Sequence, residues 1–193
     1  MTYRFNGNFR HSLRLRSYDY SQAGAYYVTI CAHNRLCLFG EIIKGRMRLN
    51  GWGMLVKDEW ARIHQLRQNV ELDAFVIMPN HVHGIVCILD YGTVQNPDVG
   101  ARRASPLRMG VRPGSLGAIV GAFKSALTRM INLQRGTIGN PVWQRNYYEH
   151  IIHNDREIEE IREYIINNPA QWAEDEFNPD NVGVRRASPF LNP

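Results

Sequence analysis

Leu72–Leu89 reads LDAFVIMPNHVHGIVCIL: two apolar runs, Leu72 to Met78 and His83 to Leu89, hinged at Pro79-Asn80. Short runs rich in Val, Ile and Phe and broken by turn residues read as strands, and the short hinge makes them an antiparallel pair. Working outward from that pair, Tyr26 to Ala32 (YYVTICA) is a strand by its β-branched and aromatic content, after the turn-forming Gln22-Ala23-Gly24. Leu38 to Leu49 reads as a short hairpin turning near Lys44-Gly45. From Gly51 to Arg67, Trp52, Leu55, Val56, Trp60, Ile63 and Leu66 recur at three- and four-residue steps behind Asn50, a good N-cap. That spacing predicts an amphipathic helix.

On the other side, residues 90–114 hold glycine, proline and arginine with little periodicity and read as a long loop. A helix is expected from Ser115 to about Gln134, with Leu116, Ile119, Val120, Phe123, Leu127 and Ile131 along one face. Trp143 to Ile152 (WQRNYYEHII) reads as a strand, and Asp155 to Asn168 as a helix capped by Asn154 and stopped by Pro169. The order predicts an α+β fold: a ferredoxin-like antiparallel sheet with helices on one face, plus a C-terminal helix. The expected division is a basic arm over 1–25, one domain over 26–172 and a tail over 173–193. Val99–Leu107 (VGARRASPL) nearly recurs as Val182–Phe190 (VGVRRASPF). Translated low-complexity DNA accounts for the repeat, and a pair of basic, phosphate-binding arms is the alternative.

With 193 residues, 44% of them hydrophobic, the chain can bury the core of one domain. A net charge of +5 and a pI near 9.3 favour an acidic polymer as partner. Cys31, Cys37 and Cys87 form no Cys-x-x-Cys pair, which argues against a disulfide framework or a cysteine zinc site. No signal-like apolar stretch follows the N-terminal charges, and no run of about 18 apolar residues occurs. A cytoplasmic protein with no membrane partner is the expectation.

The chemistry starts at Pro79-Asn80-His81-Val82-His83. Side chains at i and i+2 share one face of a strand, so both imidazoles can reach one ion. His-x-His alone is a weak motif and needs a partner. Tyr164 and Asn168 lie four residues apart on one helical face. An amide oxygen at Asn168 would complete a mixed nitrogen and oxygen site suited to Mg2+ or Mn2+, and the Tyr164 phenol would stand one turn away as nucleophile. The histidines are expected at a surface site. The bland alternative makes Tyr164 a core tyrosine and Asn168 a helix cap.

These blocks together resemble the single-tyrosine HUH transposases, and within them the REP-associated tyrosine transposases. The likeness is carried by Asp73 to Gly84 (DAFVIMPNHVHG), Phe123-Lys124-Ser125, Trp143 to His150 (WQRNYYEH) and Tyr164-Ile165 to Asn168-Pro169, in that order, and spans roughly Tyr26 to Trp172. The resemblance implies a divalent ion on His81 and His83, with a third polar ligand from the tyrosine helix, here Asn168. It implies that Tyr164 cuts one DNA strand, becomes joined to the 5′ phosphate and frees a 3′ hydroxyl. A hairpin of a palindromic repeat with single-stranded flanks is the implied substrate, bound by a monomer or a homodimer. Of the remaining residues, Tyr148 is expected at the DNA and held in reserve as nucleophile. Arg145 and His150 are further expected DNA contacts. Lys124 is either a snorkelling lysine or a phosphate contact. The competing functions are a metal-dependent nuclease using activated water, and a DNA-binding regulator that does not cut.

Overall fold

The computed structural model describes residues 18–90 and 112–181. The arm up to residue 17, most of the expected long loop and both copies of the repeat lie outside the described residues. In chain order the elements are β1 (Gly24–Cys31), β2 (Gly40–Ile43), β3 (Arg46–Leu49), α1 (Gly51–Leu66), β4 (Val70–Ile77), β5 (His81–Ile88), α2 (Leu116–Gln134), β6 (Tyr148–Ile152) and α3 (Asp155–Asn167). A 3₁₀ turn at His33–Arg35 follows β1, and a second 3₁₀ segment, Asn168–Glu174, follows α3.

The main sheet runs β4-β5-β1-β6 with every neighbouring pair antiparallel. Strands β1 and β4 therefore run parallel with β5 between them, and β5 and β6 run parallel with β1 between them. Two interleaved crossovers through α1 and α2 are the ferredoxin-like arrangement. The β2–β3 hairpin is a separate ribbon inserted before α1.

The caps follow the side chains expected of them. Asn50 accepts from the Gly53 N–H at 2.9 Å, Ser115 from Ala118 at 3.3 Å and Asn154 from Glu157 at 2.9 Å, so each helix begins with one orphan donor satisfied.

Alternation along the strands sorts side chains onto two faces. Tyr26, Val28 and Ile30 of β1 and Val82 and Val86 of β5 join the large core under α1 and α2, with Trp60, Ile63, Phe123 and Leu127. Tyr27 and Ile85 face the other way and meet Ile161 and Ile165 of α3 in a smaller cluster. Thus α1 and α2 cover one face, and α3 covers the other. Gly84 permits the tight side of the large core. A Cβ there would come within 2.4 Å of the Trp60 ring, which stacks on Phe75 at 4.3 Å.

Three expectations are corrected. The strand expected over Trp143–Ile152 begins only at Tyr148. Trp143 makes one bridge to Ala32, and the carbonyls of Gln144, Arg145 and Asn146 turn to the Lys124 ammonium instead of a neighbouring strand. The boundary at 172/173 cuts through the 3₁₀ segment, and Phe177 beyond it is buried against the histidines, so the chain to residue 177 is part of the domain. The histidines are not at the surface: His81 and His83 are both 0% exposed. Replacing either by alanine would open a cavity as well as remove a donor.

Candidate metal and tyrosine site

β5 presents His81 and His83 on the α3 face of the sheet. Across the strands His83 stands opposite Thr29 of β1 and Val76 of β4, and Thr29 in turn stands opposite Tyr148 of β6. The two imidazoles converge, with their Nε2 atoms 3.0 Å apart. Their other nitrogens are held. Asn80 Oδ1 lies 2.8 Å from His81 Nδ1, while Asn80 Nδ2 donates to the carbonyls of Arg35 (3.0 Å) and Phe177 (2.7 Å). Those two carbonyls accept only, so the amide cannot be flipped, and its oxygen must take a proton from His81 Nδ1. The Nε2 lone pair of His81 is then free for an ion. His83 Nδ1 lies 2.7 Å from the Tyr27 hydroxyl and 2.9 Å from Thr29 Oγ1, either of which can accept its proton.

Burial drives both imidazoles toward the neutral form. It is the main cause for His81, held well below the ordinary histidine value with help from His83 and Arg35, and the only cause for His83, lowered to about 3. Neutral imidazole is the ligand form.

Asp175, absent from the expected ligand set, joins the pair: ligand atoms of His81, His83 and Asp175 lie within 4.8 Å of one another. Its Oδ2 is 3.8 Å from His81 Nε2, and its Oδ1 accepts from the Phe177 N–H at 2.7 Å. Burial raises its carboxyl to about 6. Phe177 and Trp172 rings stand 4.6 and 6.1 Å from His81 and complete the wall.

Asn168 caps α3 and is 3% exposed, with a side-chain oxygen that is buried and has no hydrogen-bond partner. A buried acceptor in that state is costly unless something else fills the role. Tyr164, one turn earlier, brings its ring to 5.4 Å from His83 and 6.3 Å from Tyr27. Arg162 fixes this helix to β4 through a forked pair with Asp73, Nε–Oδ1 at 3.0 Å and Nη2–Oδ2 at 2.5 Å, placed where β4 bulges between Leu72 and Phe75.

The structure brings His81, His83 and Tyr164 together. Tyr148 sits on the adjoining strand with its ring 6.4 Å from Tyr27, its phenol pushed up by burial. His150 pairs with Glu157 of α3 at 2.6 Å. Arg145 is exposed on the loop before β6. The Lys124 ammonium donates to Gln144 O at 2.6 Å and Arg145 O at 3.1 Å, and burial lowers it to about 8. No helix among the described residues is long and apolar enough to cross a membrane.

No model of a known family matches the sequence. An uncharacterized protein of Haemophilus influenzae is 40% identical over 182 residues, 93% of this chain and all of that one. Among solved structures, a REP-associated tyrosine transposase bound to a REP hairpin superposes with a TM-score of 0.55 at 19% identity, over 82% of this chain and 73% of that one. A candidate transposase of Deinococcus radiodurans R1 gives a TM-score of 0.40 at 20% identity, over 80% and 95% of the two chains, too loose a match to weigh.

Proposed function

The chain belongs to one family with the uncharacterized Haemophilus influenzae protein and has the fold of a REP-associated tyrosine transposase, and on that premise we propose a transposase-like DNA strand transferase. It cleaves and rejoins single-stranded DNA beside hairpin-forming palindromic repeats. The observation that carries this reading is the convergence of two buried, neutral imidazoles 3.0 Å apart beneath a helix whose Tyr164 ring lies 5.4 Å from one of them.

The grouped donors fit a divalent ion such as Mg2+ or Mn2+: two imidazole nitrogens and the Asp175 carboxylate, with no thiolate, and the buried, partnerless Asn168 oxygen at the end of α3 is the amide donor assigned to the same ion. When bound, the ion draws charge from a phosphate oxygen and makes the phosphorus more open to attack. Asn80, Tyr27 and Thr29 hold the ring nitrogens so that both Nε2 lone pairs face the same point. The Asp73–Arg162 fork holds the helix from which Tyr164 acts.

In the proposed reaction the Tyr164 phenolic oxygen forms a bond to phosphorus as the bond from phosphorus to the 3′ oxygen breaks. The phenol loses a proton and the leaving oxygen gains one, which gives a 5′-phosphotyrosine and a free 3′ hydroxyl. Rejoining reverses the step, and because one ester replaces another it needs no nucleotide cofactor. Arg145, Tyr148 and His150 are assigned to the DNA path, with the Lys124 charge behind the loop that carries Arg145. Asp175 and Phe177 pack against His81, which holds this end of the chain beside the histidine pair.

Incubation with manganese and an oligonucleotide carrying the palindromic repeats nearest its own gene tests the reading on a denaturing gel. The expected product is a covalent protein–DNA species. Cleavage without an adduct would make water the nucleophile and the protein a nuclease.

A further inference from the structure

Beyond the strand-transfer site, the C-terminal half of α2 and the chain that follows it border an open, largely apolar cavity of about 810 Å³. Leu133 and Ile138 line it while 81% and 97% exposed, and the largely buried Trp143 lines it as well. Large apolar side chains held in water beside a hollow mark a binding surface more often than chance exposure does. Arg129 and Arg145 stand among its lining residues, which include no carboxylate.

The walls are held in place. Asn132 donates to Asn140 O at 2.9 Å and pins the turn that carries Ile138. Lys124 gathers the carbonyls of Gln144, Arg145 and Asn146, which fixes the backbone under the Arg145 side chain. Gln144 N donates to Cys31 O at 2.9 Å, and Cys31 pairs with His81 across β1 and β5. The backbone of this wall is thus two strand spacings, about 10 Å, from that of His81.

An apolar floor with two guanidinium groups and no anion matches a nucleotide, which has a flat apolar base and an anionic backbone. A preformed wall lowers the ordering cost of binding it. We propose that this cavity is a subsite for one unpaired nucleotide of the DNA strand, its base against Leu133, Ile138 and Trp143 and its flanking phosphates on Arg129 and Arg145. The choice of DNA as the polymer rests on the strand-transferase reading above.

The test uses the full chain and single-stranded oligonucleotides carrying 2-aminopurine at successive positions. One position should change fluorescence on binding, and an abasic site there should weaken binding about tenfold, the scale of one stacked base. Ile138→Asp and Leu133→Asp, both at exposed positions, should each remove that signal and weaken single-strand binding by a similar factor. The tyrosine adduct should still form when DNA is saturating. Wild-type affinity in both variants would overturn the subsite while leaving strand transfer standing. Equal losses for fully paired duplex would overturn the unpaired-base assignment. A dimer in solution broken by Ile138→Asp would give the face to a second copy of the chain and overturn it as well. Failure of the wild-type protein to bind any DNA would instead sink the strand-transferase reading itself.

Discussion

The two faces of the main sheet are made by the same strands and have opposite characters. On the α1 and α2 side, alternate residues of β1 and β5 are Tyr26, Val28, Ile30, Val82, Gly84 and Val86, packed into the large apolar core. On the α3 side, the residues between them are Tyr27, Thr29, Cys31, His81, His83 and Ile85, and the buried apolar cluster there has four fully buried members among the described residues. One face supplies the burial that holds the fold, which frees the other to bury polar groups aimed at a point. Substitutions on the two faces should therefore fail in different assays.

The largest effect is expected from Tyr164→Phe. It removes one oxygen and keeps the ring, so the covalent adduct on a denaturing gel should vanish while Tm changes little. An adduct that persists in this variant and is lost in Tyr148→Phe would move the nucleophile to β6. Next comes Asn80→Ala, which frees the His81 tautomer and leaves two carbonyls without donors. Manganese affinity, measured by calorimetry, should fall about 10- to 100-fold. Unchanged affinity would show that the imidazoles orient themselves.

Gly84→Ala probes the opposite face from the position next to His83. The new methyl must displace the Trp60 ring, so stability by urea unfolding should fall by about 1–3 kcal/mol. Manganese affinity of the folded variant should be near that of wild type, and a large loss would show that the faces are not independent. The smallest effect concerns the fork that holds α3. Arg162 lowers the Asp73 carboxyl below its usual 3.8, so its stabilisation is present above that pH and is lost as the pH falls through the lowered value. Asp73→Asn should give a small drop in Tm at neutral pH that disappears in acid. A difference that is the same at every pH would assign the effect to packing rather than charge.

Periodicity made most of this legible in the sequence. The strands around Pro79-Asn80, the three capped helices and the His-x-His face all follow from spacings of two and of three to four. The carboxylate beside the histidines shows why the rest was not. Asn168 could be reached by counting one turn from Tyr164, but Asp175 follows a 3₁₀ segment, where no fixed repeat relates a residue to α3. Asn80 lay inside the quoted motif, yet its role depends on carbonyls of Arg35 and Phe177, which only the folded chain brings together. Trp143 to Tyr147 has strand-like composition, and Lys124 overrides it by taking three carbonyls that a neighbouring strand would need.

The Asn80 amide also sets a time. It orients His81 by donating to a carbonyl 97 residues further along the chain. During synthesis both histidines leave the ribosome long before Tyr164, and Tyr164 before Phe177. A growing chain can pair its strands and bury Val82 and Val86, since earlier segments fold first, but the partners that orient the histidines are not yet made. Translation itself thus withholds the convergence of His81, His83, Tyr164 and Asp175 until nearly all of the described chain has been made.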